Sequence, residues 1–345
     1  MKHGKVGMYG GKFFPIHMGH VAMMIQASTM VDELHLIVSY DPVYEAELCE
    51  GAKIKPIPHE VRTRWWKQLT KDMPHVHVHA VYEKQSNRFV DWARGTQGIE
   101  KAVGKHIDVV FSSEESYGKF FRVLYPRAKH AVLDPDRSMY NISATKIRME
   151  GPFKHWDKLP GVVRPYFNKT VVVVGTESCG KSTLVKNLAN LYNTRYVEEY
   201  GRSFYERLGD ENTQYADYNH IAFEQKFHEK NQLDRANKIL FIDTEAIVTQ
   251  YYSLLYLNQF NPVVDAIAAA QQYDLWLFLE PDVRWVGDGY RQHGDQETRE
   301  QNNEALKVML AEHGVEYVTI GGDYEERLTK ARAEVDKLLA EGGNE

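Results

Sequence analysis

The run Thr170-Val-Val-Val-Val-Gly175-Thr176-Glu177-Ser178-Cys179-Gly180-Lys181-Ser182-Thr183-Leu-Val-Lys joins an apolar stretch, a glycine-punctuated turn and the start of a helical period. Its turn fits G-x-x-x-x-G-K-[ST] without a mismatch, and strand before with helix after is the context that pattern needs. Glycines let the backbone close on a phosphate, and a helix N-terminus offers it unpaired N–H groups. Gly175, Thr176, Glu177, Ser178, Cys179, Gly180, Ser182 and Thr183 are therefore expected around ATP. Lys181 should reach the β- and γ-phosphates and the Ser182 hydroxyl should ligate Mg²⁺. Cys179 reads as a small filler, not a nucleophile.

Outward from this loop the pattern repeats. Lys238-Ile-Leu-Phe-Ile-Asp243 is a strand whose terminal Asp243 suits the metal side of a phosphoryl-transfer site. Residues 274–279 and 315–320 read as further strands, buried on both faces. Glu198-Glu199-Tyr200-Gly-Arg202 follows an expected second strand. There a carboxylate, with Glu199 favoured, can take the proton of a substrate hydroxyl, and Tyr200 and Arg202 can meet substrate. The glycine-punctuated segment 288–299 reads as a lid carrying Arg291 and Arg299 onto the phosphates.

Upstream, strands and helices also alternate: strands at 6–9, 34–40, 76–81, 107–111 and 129–133, helices at 19–30, 60–71, 89–103 and 114–124, and a last helix opened by Ser143. The helix at 89–103 is expected to break at Gly95 and Gly98. Such alternation predicts a doubly wound parallel sheet. The irregular, proline-bearing segment after Gly151 separates the two series, so the expected domains are 1–168 and 169–345. Both are α/β, a Rossmann-like unit followed by a P-loop kinase unit.

The chain has 345 residues, enough for two cores of ordinary size. Net charge is -6, which argues against a broad nucleic-acid face. Two cysteines exclude a disulfide scaffold, and no apolar run approaches a membrane span. No secretory signal is legible, so a cytoplasmic location is expected. His75, His77 and His79 alternate, and are expected on the wet face of a strand with Val76 and Val78 inside. The segment around Trp65-Trp66 is expected to form a helix burying aromatics between basic positions.

Gly10-Gly11-Lys12-Phe13-Phe14-Pro-Ile-His17-Met-Gly-His20 follows the first strand, and Ile142-Ser143-Ala144-Thr145-Lys-Ile-Arg148 stands far downstream. Fixed donors of these kinds stabilise charge that builds on phosphate oxygens. The pair resembles the H-x-G-H and I-S-x-T-x-I-R motifs of the nucleotidyltransferase superfamily. Joined to the phosphate loop, and with Phe111-Ser-Ser-Glu-Glu-Ser-Tyr-Gly, Asp134-Pro-Asp-Arg, Glu199-Tyr-Gly-Arg and Asp288-Gly-Tyr-Arg in order, the whole chain resembles the NadR-type bifunctional nicotinamide-mononucleotide adenylyltransferases and ribosylnicotinamide kinases.

That resemblance implies ATP-dependent phosphorylation of ribosylnicotinamide in the second half. In the first half it implies adenylyl transfer from ATP to nicotinamide mononucleotide, giving NAD and pyrophosphate. Both reactions would need Mg²⁺. It implies His17, His20 and Arg148 as catalytic groups, with Ser143 and Thr145 as donors beside them. Gly11, Lys12, Phe13 and Phe14 would lie near the phosphates, and Ser112, Ser113 and Glu114 near adenosine or the mononucleotide. Trp92 would stack on the nicotinamide ring. Ala144 stands where the family pattern suggests glycine. Some members begin with a helix-turn-helix domain. Here the H-x-G-H motif lies within the first twenty residues, so no DNA binding is expected. A homo-oligomer is left open. Alternative readings are a bifunctional coenzyme A synthase, which also joins H-x-G-H to a P-loop, and an NAD-sensing regulator with weak catalysis.

Overall fold

The computed structural model describes residues 4–86, 88–209, 213–282 and 296–341. The first unit runs β1 (Val6–Gly11), α1 (Met18–Ser28), β2 (Glu33–Tyr40), α2 (Pro42–Glu47), α3 (His59–Leu69) and β3 (Val76–Tyr82). It continues with α4 (Phe89–Val103), β4 (Val109–Ser112), α5 (Gly118–Leu124), β5 (Lys129–Val132) and α6 (Ala144–Glu150). The five strands are parallel in the order β3-β2-β1-β4-β5. The order reverses between β1 and β4, which opens a crevice at the carboxyl ends of the strands.

The second unit runs β6 (Lys169–Val174), α7 (Lys181–Leu191), β7 (Arg195–Val197), α8 (Tyr200–Leu208), α9 (Tyr215–Leu233) and β8 (Ile239–Asp243). Then come α10 (Ala246–Leu257), α11 (Pro262–Ala270), β9 (Leu275–Leu279), α12 (Gln296–Glu312), β10 (Val318–Ile320) and α13 (Tyr324–Glu341). Its parallel sheet has the order β10-β9-β6-β8-β7. Val172 and Val174 pack with Ile242 and Phe278 on one face, while Val171 and Val173 pack with Phe241 and Leu277 on the other. Alternate residues of one strand thus feed two cores, which is why these strands are apolar throughout. The chain divides between Arg164 and Pro165. Among the described residues no helix is long and apolar enough to cross a membrane.

Two sequence expectations are corrected. Helix α4 is one unbroken helix of 15 residues. Its glycines serve close approach instead: a Cβ at Gly95 would sit 2.5 Å from Glu83 Oε1, and one at Gly98 would sit 3.0 Å from Val81 Cγ1. On β3, Val76 is buried but Val78 only half so, and the histidines are not simply wetted. His79 Nε2 lies 2.9 Å from His35 Nδ1, and Glu33 Oε1 lies 3.1 Å from His35 Nε2 and 3.2 Å from His77 Nε2. Burial pushes His35 down to about 4. The expected helix around Trp65-Trp66 forms as α3 and buries both aromatics, and Arg62 is fully buried with them.

At Gly7 in β1 an added Cβ would stand 2.8 Å from the Phe111 ring and 3.0 Å from Val31 Cγ1. Gly7→Ala should therefore destabilise the first unit by about 1–3 kcal/mol through overpacking. Urea unfolding followed by aromatic fluorescence would measure it, and an unchanged midpoint would show that the ring moves aside freely.

Candidate functional sites

Each sheet ends in its own phosphate-sized arrangement. In the first unit the loop after β1 meets the N-termini of α1 and α6 over a cavity of about 350 Å³. His17 caps α1: its Nδ1 accepts from the backbone N–H of His20, and His20 Nδ1 accepts from that of His17, each at 3.3 Å. The two rings stack with centroids 3.6 Å apart. Gly19 permits this, since a Cβ there would lie 3.1 Å from the His17 ring. With both Nδ1 atoms accepting, a neutral imidazole must carry its proton on Nε2. Burial, then the Arg137 charge, holds His17 down to about 3. Burial also lowers His20, helped by His17 and Arg137. The pair therefore presents N–H donors without carrying charge of its own.

Arg148 reaches back from α6 and donates to the Phe14 carbonyl at 2.7 Å and to Thr145 Oγ1 at 3.1 Å. Ser143 caps α6 by accepting from Lys146 N–H at 3.1 Å. The Phe13 and Phe14 side chains are buried, so only their backbone can face a ligand. Phe13 wedges edge-on against Tyr9, His20 and Trp66. Phe14 lies between two guanidiniums, Arg62 at 5.2 Å and Arg148 at 5.5 Å from its centroid. Arg62 also donates to the Lys12 carbonyl at 2.6 Å and forks onto Glu45 at 2.7 and 2.8 Å. That buried pair was not legible in sequence, where Arg62 reads only as one of the basic positions of the helix.

Every first-unit residue named from the sequence lines this cavity. On the β2–β3 side stands Lys12, whose Nζ donates to Gln85 Oε1 at 3.1 Å; Trp92, at the start of α4, donates from its indole to the Ser86 carbonyl at 3.0 Å. One face of Trp92 is already stacked on Phe120, with centroids 4.5 Å apart. On the β4 side Ser112 Oγ lies 2.8 Å from His130 Nε2, and Ser113 and Glu114 follow it. Arg137, the last residue of the Asp134-Pro-Asp-Arg motif, also lines the cavity; Ser39 and Glu83 line it too and were missed, since neither belongs to a recognisable motif.

In the second unit the loop after β6 carries Gly175 at φ 147, Ser178 at φ 57 and Gly180 at φ 91. A Cβ at Gly175 would meet the Leu279 carbonyl oxygen at 2.8 Å, so only glycine fits there. Lys181 is buried and its Nζ donates to the carbonyls of Gly175 and Thr176, both at 3.0 Å. Cys179 is fully buried and its thiol donates to the Thr176 carbonyl, consistent with filler. Arg327 of α13 donates to the Cys179 and Glu280 carbonyls, an anchor sequence reading missed.

Ser182 Oγ donates to Asp243 Oδ2 at 2.5 Å. A hydroxyl and a carboxylate so close form a hard oxygen pair of the kind Mg²⁺ takes, so these residues fit the expected ion. Gln225 clamps the end of β8 by donating to the Asp243 and Thr244 carbonyls, and it accepts from Tyr200 N–H. Glu199, half-buried at the start of α8, is pushed upward by burial; Lys181 opposes that, while Asp243 and Glu177 add to it. Arg202 lies in α8 and pairs with Glu206. Tyr200 Oη accepts from Arg207 at 2.7 Å. Arg299 lies not on a loop but in the first turns of α12, buried beside Thr176, Glu177 and Tyr252. Arg291 and the rest of the expected lid up to residue 295 lie outside the described residues.

Comparison with known proteins agrees with this division. Residues 8–150 match the cytidylyltransferase-like family and residues 170–327 match an AAA domain family. The trifunctional NAD biosynthesis/regulator protein NadR of Salmonella typhimurium is 33% identical over 98% of this chain and 84% of its own length. That of Escherichia coli is 32% identical over 97% and 84%. A crystal structure of NadR protein in complex with NR superposes with a TM-score of 0.81 at 28% identity, covering 99% of this chain and 97% of the other. A NadR complex with NAD and AMP-PNP gives 0.80 at 27% identity, covering 98% and 96%.

A titration follows from the histidine pair. His17 is held neutral in the folded state, while the unfolded chain protonates near 6.5. Its stabilising contribution is complete above that pH and is lost as pH falls toward 3, by up to ~1.4 kcal/mol per pH unit. Urea unfolding at pH 7 and pH 5 should show this loss, and His17→Asn should reduce it, leaving the part that His20 and His35 contribute.

Proposed function

The chain belongs to the NadR family, and from that premise we propose how its two sites share the work. It is a nicotinamide-mononucleotide adenylyltransferase and a ribosylnicotinamide kinase, an enzyme of NAD biosynthesis that uses ATP. The second unit carries out the kinase reaction and the first unit the adenylyl transfer. The observation that carries this reading is that each parallel sheet ends in a separate cradle of helix N-termini and buried cations.

In the kinase unit, Glu199 accepts the proton of the ribose 5'-hydroxyl as that oxygen attacks the γ-phosphorus and ADP leaves. The P-loop amides and Lys181 offset the charge on the phosphate oxygens. Tyr200, Arg202, Arg291 and Arg299 are the groups assigned to substrate and lid. Ser182 and Asp243 would hold Mg²⁺, which supplies charge neutralisation at the phosphates. In the adenylyltransferase unit, a phosphate oxygen of the mononucleotide attacks the α-phosphorus of ATP. The bond to the bridging oxygen breaks and pyrophosphate leaves. His17 and His20 donate from Nε2 to the oxygens that gain charge, and Lys12 and Arg148 add fixed positive charge. Ser143 and Thr145 orient the start of α6, Trp92 offers a flat face to the pyridine ring, and Ser112, Ser113 and Glu114 bound the opposite side.

We assign the protein to the cytoplasm and, from its acidic balance, expect no DNA binding; a gel-shift titration at low salt tests the latter. The main test is a time course with ATP, Mg²⁺ and ribosylnicotinamide. Nicotinamide mononucleotide should rise first and NAD second. Lys181→Ala should abolish the first step and spare adenylyl transfer to supplied mononucleotide, and His20→Ala should do the reverse. Loss of both activities in either folded variant would sink the two-site assignment.

A further inference from the structure

Glu83 takes part in none of these steps, yet it is a half-buried carboxylate in the wall of the adenylyltransferase cavity. It stands just past the carboxyl end of β3, on the flank of the sheet away from β4 and β5. The strand order puts the β1 loop, with His17 and His20, between two flanks, so the two nucleotides of the reaction have a flank each. Trp92 and Gly95 lie one helical turn apart on α4, and Trp92 lines the same cavity with its ring packed on Tyr117, Phe120 and Phe121 from the β4 side. The Glu83 carboxylate is fixed against Gly95. Its Oε2 accepts from Ser39 Oγ, and its Oε1 lies where a side chain at position 95 would be. The other charged side chains lining this flank are Lys12, Lys84 and Asp91. Lys12 is bonded to Gln85, Lys84 is exposed, and Asp91 accepts from Ser86 at 2.7 Å.

We propose that Glu83 makes this site select a pyridine mononucleotide bearing a carboxamide over one bearing a carboxylate. This rests on the adenylyltransferase reading above. A carboxamide brings an NH₂ group that can donate to a fixed acceptor. A carboxylate at the same ring position brings a second anion and no donor, beside a half-buried carboxylate where screening by water is reduced. Sites built around one polar partner reject analogues that leave it unmatched far more strongly than apolar pockets do. The absence of a sequence motif does not weaken the assignment, because the determinant is one side chain wedged by a glycine.

The test is the ratio of kcat/KM for nicotinamide mononucleotide to that for nicotinate mononucleotide, read by pyrophosphate release with the full chain, ATP and Mg²⁺. Glu83→Gln keeps the shape and removes the charge, and it should lower the ratio at least tenfold, chiefly by improving turnover of the nicotinate compound. A structural role alone would lower both values together and leave the ratio in place, which would overturn the proposal. A measurement on the unsubstituted enzyme covers the case in which the variant does not fold. On acidification the same ratio should fall, because burial pushes the Glu83 carboxyl upward and protonating it removes the repulsion, and a ratio that rises instead would overturn the proposal. Adenylyl transfer to neither mononucleotide would refute the reading of the site itself, and this proposal with it.

Discussion

A buried guanidinium donating to a loop carbonyl is the contact on which both sites depend. In the first unit Arg148 on α6 holds the Phe14 carbonyl, 134 residues away in sequence. In the second, Arg327 on α13 holds the Cys179 carbonyl, 148 residues away. The two arrangements are parallel. Each time the last helix of a unit returns to the loop that follows its first strand. A tight loop that turns its N–H groups toward a ligand leaves carbonyls pointing inward, and a buried carbonyl without a donor is costly. Arginine meets that need with several donors in one rigid fork. Neither phosphate loop is therefore complete until the unit has closed from end to end.

The same economy of charge runs through the first site. Arg62 is desolvated, and its forked pairing with Glu45 is what makes that tolerable, since an unpaired buried charge would be strongly destabilising. Through the Lys12 carbonyl it fixes the backbone just before the two phenylalanines. Rigid backbone at this point matters because the side chains of Phe13 and Phe14 are spent on packing. Up to Phe14 the loop can offer a ligand only its main chain and the Lys12 ammonium.

The fold was legible where strands are continuous apolar runs and where glycine motifs sit between strand and helix. The H-x-G-H pair and the P-loop led directly to the cavity wall and to the buried Lys181. What sequence reading missed is long-range. Gly95 and Gly98 look like helix breakers in isolation, and only the strand behind them shows that they are clearances. Arg62 reads only as a basic position of its helix until Glu45 is found 17 residues earlier. His77 and His79 alternate as a wet face should, but the partner that draws them in is His35 on the neighbouring strand. Arg299 read as part of a mobile loop because the charges before it are polar and glycine-rich, whereas α12 already includes it. In each case one position is reinterpreted by a residue that no local window contains.

The reciprocal cap on α1 also decides what the two histidines cannot bind. Imidazole coordinates a transition metal through an unprotonated nitrogen. Here both such nitrogens are occupied by backbone N–H groups of the first turn. The ring edges left over carry hydrogen and repel cations. A metal ion could take a ring nitrogen only at the cost of the cap, so the pair faces the cavity with N–H edges suited to phosphate oxygens.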